Sequence, residues 1–294
     1  MTMGVNTLRK KILPSFLRIT TVCLVFYIGM CSVVAIYQRT LLYHPPVYNS
    51  TQVDFMAKSA RLERWRNSAG EPVGMKRMSP KQPSAGQVLV VYGNSGSAVS
   101  AGHYATDIQR FSAFDVFILE YPGYEDRPGK PTEQSLFRAA DEALQLLGTN
   151  KPVFVLGESL GTGVASYLAG TYPDRVAGVV LIAPYNRLTD AAQFHYPALP
   201  VWLLLLDRFP SEDYLQHYHG PVGILVGGRD QVVPERLGRR LYDGYTGPKH
   251  LWEFPEDGHG DLFNRLPDIW SQLMELWQTQ KTAPKESSSA RVRT

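Results

Sequence analysis

The sequence predicts an α/β domain built on a mostly parallel sheet with helices on both faces, preceded by one apolar helix able to cross a membrane. Three observations carry that expectation. Short, almost wholly apolar runs recur between residues 87 and 254, and such runs suit strands buried on both faces. Stretches of helical period alternate with them, which is the βαβ pattern of a parallel sheet. Residues 19–37 hold 19 consecutive positions without a charge, just long enough to span a bilayer.

A chain of 294 residues suits one such domain plus an appendage. With 44% hydrophobic and 19% charged residues it can bury a core and is not a disordered chain. The net charge of +3 comes from the ends. Residues 1–18 carry Arg9, Lys10, Lys11 and Arg18 with no acid, and residues 281–294 carry Lys281, Lys285, Arg291 and Arg293 against Glu286. The body between is slightly acidic, so no nucleic-acid-binding face is expected. Both cysteines, Cys23 and Cys31, lie in the apolar run, which leaves the body without a disulfide or cysteine chemistry.

Taken in order, residues 1–18 form a basic segment and residues 19–37 the anchor. Only Arg39 follows the anchor before Lys58, so the positive-inside rule puts the N-terminus in the cytoplasm and the body on the far side. The run is longer than most signal-peptide cores and no small-x-small site closes it, which favours an uncleaved anchor. Residues 38–60 read as a juxtamembrane linker, with Pro45-Pro46 ending any helix. The folded domain is expected over residues 61–280.

Residues 61–67 and 73–79 read as strands around the turn Ala69-Gly70-Glu71-Pro72. A buried strand over 87–92 runs into Gly93-Asn94-Ser95-Gly96-Ser97; a helix over 103–111 and a strand over 115–121 follow. Leu136, Ala139, Ala140, Ala143, Leu144 and Leu147 share one face of a helix over 132–147, with Thr132 as its N-cap. Residues 153–156 form a strand, 162–169 a helix and 176–183 a strand. Residues 185–219 break the rhythm with aromatics, three prolines and an apolar run at 201–206 far too short to cross a membrane. They read as a cap of short helices. Its Leu run is open to two readings: a buried core helix, or a functional surface that is either an apolar wall for an acyl chain or a lid touching the membrane. The sheet resumes at 221–226, a helix with Pro234 in its first turn covers 234–245, and a strand at 250–254 and a helix at 267–278 close the domain. Residues 281–294, rich in Lys and Ser, read as a disordered basic tail.

The chemistry centres on Gly157-Glu158-Ser159-Leu160-Gly161. A G-x-S-x-G run between a strand and a helix forces a tight turn that lifts the serine hydroxyl clear at the carboxyl edge of a sheet, at a helix N-terminus. Asp230 follows the strand at 221–226 and His259 the strand at 250–254, so Ser, Asp and His occur in that order, each just past a strand. A serine hydroxyl is a poor nucleophile until a base takes its proton, the role open to His259. Asp230 would fix the imidazole tautomer. Asp257 and Asp261 flank His259 too closely in sequence to sit naturally behind its ring. His44, His103, His195 and His250 read as surface histidines, and His217 and His219 lack a visible third ligand, so no metal is expected.

With these motifs in place, the chain resembles an α/β-hydrolase-fold serine hydrolase, and more narrowly the single-span, membrane-anchored α/β-hydrolase-domain proteins that include protein depalmitoylases. The resemblance rests on Gln38-Arg39-x-Leu41-Leu42-Tyr43, Tyr92-Gly93-Asn94-Ser95-Gly96, Tyr121-Pro122-Gly123-Tyr124, the serine motif, Gly228-Arg229-Asp230-Gln231-Val232-Val233-Pro234 and Gly258-His259-Gly260-Asp261. It implies Ser159, His259 and Asp230 as a catalytic triad and the backbone N–H groups of Leu160 and Asn94 as an oxyanion hole. It implies an ester or thioester of an acyl lipid or acylated protein as substrate, and no metal or organic cofactor. The alternatives are a peptidase of the same fold and a non-catalytic scaffold. Two departures stand out: Tyr92 where the family usually has His, and Glu120 where it often has Asp.

Overall fold

A computed structural model describes residues 3–278, with side chains from residue 17 onward. The expected tail at 281–294 and the side chains of Arg9, Lys10 and Lys11 lie outside the described residues. The chain opens with α1 (Met3–Leu42) and α2 (Ser50–Ser59), then β1 (Glu63–Arg66), β2 (Pro72–Arg77), β3 (Gly86–Val91) and α3 (Gly102–Phe111). Next come β4 (Phe114–Leu119), α4 (Glu133–Leu146), β5 (Val153–Glu158), α5 (Gly161–Thr171) and β6 (Val176–Ile182). Three short helices follow, α6 (Leu188–His195), α7 (Val201–Leu204) and α8 (Ser211–Leu215). The chain closes with β7 (Val222–Gly227), α9 (Glu235–Gly244), β8 (Lys249–Phe254), a 3-10 turn at Asp261–Asn264 and α10 (Leu266–Gln278).

The strands form one sheet in the order β1-β2-β4-β3-β5-β6-β7-β8. The edge strands β1 and β2 run antiparallel, and every pair from β4 to β8 is parallel. Every residue of β3, β4, β5 and β7 is buried, which is why these segments are almost wholly apolar, Gln87, Asp115 and Glu158 being the exceptions. Helices α3 and α10 pack together on one face, and α4, α5 and α9 cover the other. The chain places β4 on one side of β3 and then crosses to β5 on the other. The loops after β3 and β5 diverge at that reversal, and their crevice is where ligands settle in open α/β sheets.

Capping chemistry sets the element ends. Thr132 caps α4 by accepting from Ser135 N, while the Ser135 hydroxyl accepts from Thr132 N. The insertion between β6 and β7 is the cap, made of α6, α7 and α8. It is tied down by Glu133 at the start of α4, whose carboxylate accepts from Arg208 N and Phe209 N.

Residues 38–60 carry more structure than a linker. Helix α1 continues unbroken to Leu42, and a separate helix, α2, begins at Ser50 under a capping box between Asn49 and Gln52. Pro45-Pro46 lies in the non-helical connection between them. Within α1, Leu17–Leu42 is the one stretch among the described residues long and apolar enough to cross a membrane.

Candidate active site

Ser159 follows β5 directly, at φ +49°, in the left-handed region that non-glycine residues rarely occupy. Local bonds hold it there. Its N–H donates to Ile182 O at 2.8 Å, and its carbonyl accepts from the Thr162 hydroxyl at 2.6 Å. Gly161 lets α5 start hard against β3, since a Cβ there would sit 2.1 Å from Val91 O. The serine therefore stands at the sheet's carboxyl edge, at the head of α5.

The loops after β7 and β8 bring the other two groups to the same edge. His259 Nε2 lies 3.0 Å from Ser159 Oγ, and His259 Nδ1 lies 2.7 Å from Asp230 Oδ2. The other Asp230 oxygen accepts from Val232 N and Val233 N, both at 2.8 Å. A carboxylate has no proton to give, so Nδ1–H donates to Asp230 and Nε2 is left to accept from the serine hydroxyl. Asp230 is buried, and the imidazole packs near-perpendicular to the Phe263 ring, with centroids 5.2 Å apart. Asp257 and Asp261 are engaged elsewhere: Asp257 receives two bonds from Arg265, and Asp261 accepts from Gly258 N at 2.8 Å.

Leu160 and Asn94 line the same cavity as Ser159. Neither backbone N–H donates to a protein acceptor among the described residues, so both are available to a ligand. Asn94 is fixed by its other atoms. Its carbonyl accepts from the Tyr124 hydroxyl at 2.6 Å and from His44 N at 3.1 Å, and its Nδ2 donates to Leu42 O at 2.7 Å.

The two departures from the family pattern prove to be one interaction. The Tyr92 hydroxyl donates to the Glu120 carboxylate, which also accepts from Ala98 N at 2.9 Å and Tyr121 N at 3.2 Å. Burial pushes the Glu120 carboxyl up to about 8, against the pull of its donors. Glu158, the variable residue before the serine, is a group that sequence reasoning passed over. It accepts from Gly93 N at 3.3 Å and from the Tyr104 hydroxyl at 2.8 Å, and so pins the loop after β3 to the serine turn. Burial raises its pKa as well, with the Tyr104 bond opposing. An acid inside a strand otherwise wholly apolar was the available signal.

Above Ser159 lies a cavity of about 230 Å³. Leu188, Tyr196, Leu199 and Leu204 of the cap line one side, and Val34, Ala35 and Leu41 of α1 the other. His195, expected to be a plain surface histidine, is exposed but stands at this cavity, its Nε2 2.8 Å from Val232 O. His217 and His219 are exposed, and no group of three metal-ligating side chains occurs among the described residues.

A family model described as the alpha/beta hydrolase fold matches residues 87–217. An uncharacterized protein of Mycobacterium tuberculosis is 37% identical over 179 residues, covering 59% of this chain and 63% of that one. Lysophosphatidylserine lipase ABHD12 of Danio rerio is 30% identical over 195 residues, covering 58% of this chain and 50% of that one. The match thus spans less than two thirds of these relatives' length. Among solved structures, the Pyrococcus furiosus esterase Pf2001 superposes with a TM-score of 0.54 at 16% identity, covering 81% of this chain and 97% of that one. Topology, family model and structural neighbour agree that the chain adopts the α/β-hydrolase fold.

Proposed function

We propose that the protein is a membrane-anchored serine hydrolase that cleaves an ester or thioester of a fatty acyl chain through an acyl-enzyme. The observation that carries this reading is the relay from Ser159 Oγ to His259 Nε2 and from Nδ1 to Asp230, at 3.0 and 2.7 Å, opening on an apolar cavity. His259 takes the serine proton as the oxygen attacks the acyl carbon. The oxyanion is received by the N–H groups of Leu160 and Asn94. The imidazolium gives its proton to the departing alkoxide or thiolate, and water admitted to the site then releases the acid by the same route. None of these steps calls on a metal or organic cofactor.

The name lysophosphatidylserine lipase on one relative and esterase on the structural neighbour favour an acyl ester. A peptidase would want an unpaired acid in the cap for a free amine. Glu212 and Asp213 are paired with Arg187 and lie outside the cavity. The apolar stretch Leu17–Leu42, about 39 Å long at helical rise, supplies the anchor. The cationic residues before it support, by the positive-inside rule, an N-terminus in the cytoplasm and a body across the membrane. A fluorophosphonate probe tests the reading against a scaffold role. Wild type takes up one adduct, and Ser159→Ala takes none and loses about 10⁴-fold or more in ester turnover. An unlabelled wild type, or equal labelling of the variant, overturns it.

A further inference from the structure

Residues 191–206 of the cap contain no Asp, Glu, Lys or Arg, the same lack of charge that marks the anchor. In the fold these two stretches lie side by side. Gln38 of α1 donates to Leu204 O at 3.1 Å and accepts from Leu206 N at 2.8 Å. Tyr27, eleven residues earlier in α1, donates to Ala198 O at 2.8 Å. At 1.5 Å per residue the two attachments are about 16 Å apart along the helix. The cap therefore runs alongside the apolar helix instead of meeting it only at its end. Tyr27 falls mid-way along a stretch that must cross roughly 30 Å of hydrocarbon, so a spanning α1 carries the Ala198 edge of the cap into the leaflet. The cap surface suits that position, with Trp202, Leu203 and Leu206 exposed by 69%, 62% and 61%.

The seam between helix and cap leads to the serine. Val34, Ala35 and Leu41 of α1 face Leu199 and Leu204 of the cap across the cavity, with Ser159 at its base. The end of α1 also braces Asn94 through Leu42 O and His44 N. We propose that α1 is one wall of the acyl-chain site, and that the chain of a leaflet-resident acyl lipid enters sideways through this seam to reach Ser159 without crossing water. This rests on the serine hydrolase reading and extends it: the anchor is part of the binding site, and its small residue Ala35 sets how long a chain fits.

The test uses the full-length protein in phosphatidylcholine vesicles and compares kcat/KM for a palmitoyl and a butyryl ester. Ala35→Phe fills the seam and lowers the palmitoyl-to-butyryl ratio about tenfold or more, whereas Leu41→Ala widens it and raises the ratio. Ile36→Phe, on the exposed side of α1, keeps the wild-type ratio. Fluorophosphonate labelling of Ser159 confirms a folded site in each variant, and if Ala35→Phe fails to label, Leu41→Ala decides alone. A labelled wild type with an unchanged ratio in the deciding variants overturns the wall and leaves the hydrolase reading standing. An unlabelled wild type overturns both.

Discussion

Ser159 occupies a backbone conformation that its side chain disfavours, and the cost is readable because β6 on one side and the first turn of α5 on the other fix it. Its φ of +49° is held by the bond to Ile182 O and by the Thr162 hydroxyl. Such strain is of order 1 kcal/mol and clusters at functional positions. Comparing two variants that both lack the hydroxyl isolates it. Ser159→Gly is expected to be about 1 kcal/mol more stable than Ser159→Ala, because glycine accepts positive φ without a Cβ penalty. Chemical denaturation of the two proteins checks this. Equal stability, or a more stable alanine variant, would mean that the turn carries no strain at the serine. Glu158, beside it, holds the loop that presents Asn94, so the proposed nucleophile and oxyanion donors are set by one turn.

At the scale of elements, the decisive contact is between α1 and the cap. Arg39 donates to Asp207 from Nε at 3.0 Å and from Nη2 at 3.1 Å, and Tyr43 donates to the same carboxylate at 3.2 Å. Asp207 is buried while the Arg39 side chain is about half exposed. Asp207→Ala strands the buried Tyr43 hydroxyl and should cost about 2 kcal/mol, and Arg39→Ala less. The double variant should be little worse than Asp207→Ala alone, because both changes remove the same interaction. Thermal melts of the full-length protein in detergent measure this, and fully additive losses would show that the pair is not coupled. This contact also marks where the sequence stops being legible. Ser159 and Asp230 each follow an apolar, fully buried strand and His259 follows the mixed strand β8, so topology sends all three to one edge. Gln38, Arg39 and Tyr43 carry no such signature, since a juxtamembrane segment reads the same whether or not it docks on residues more than 160 positions away. Tyr92 and Glu120 each stood out as a departure, but that they form one bond depends on β3 lying beside β4.

For the whole molecule, the buried acids near the sheet edge make stability depend on pH. Glu120 titrates near 8 in the fold against 4.5 for an ordinary glutamate. Between those values the folded state keeps a proton that the unfolded chain has released. Its contribution is therefore fully present below about 4.5, falls as pH rises through that window and is gone above about 8. Glu158, also raised, acts in the same direction. Melting temperatures should drop from about pH 5 to about pH 8.5, and Glu120→Gln should flatten that slope whatever it does to the absolute value. A variant with the wild-type slope would place the dependence elsewhere. The sheet, the cap and α1 together bring a serine, a base and an apolar seam to one place, and the chemistry proposed there is covalent. The most direct measurement is mass spectrometry of the protein acid-quenched during turnover of a palmitoyl ester. The peptide containing Ser159 should carry the mass of the acyl group, and an acyl group found on another residue, or none at all while acid is being released, would contradict it.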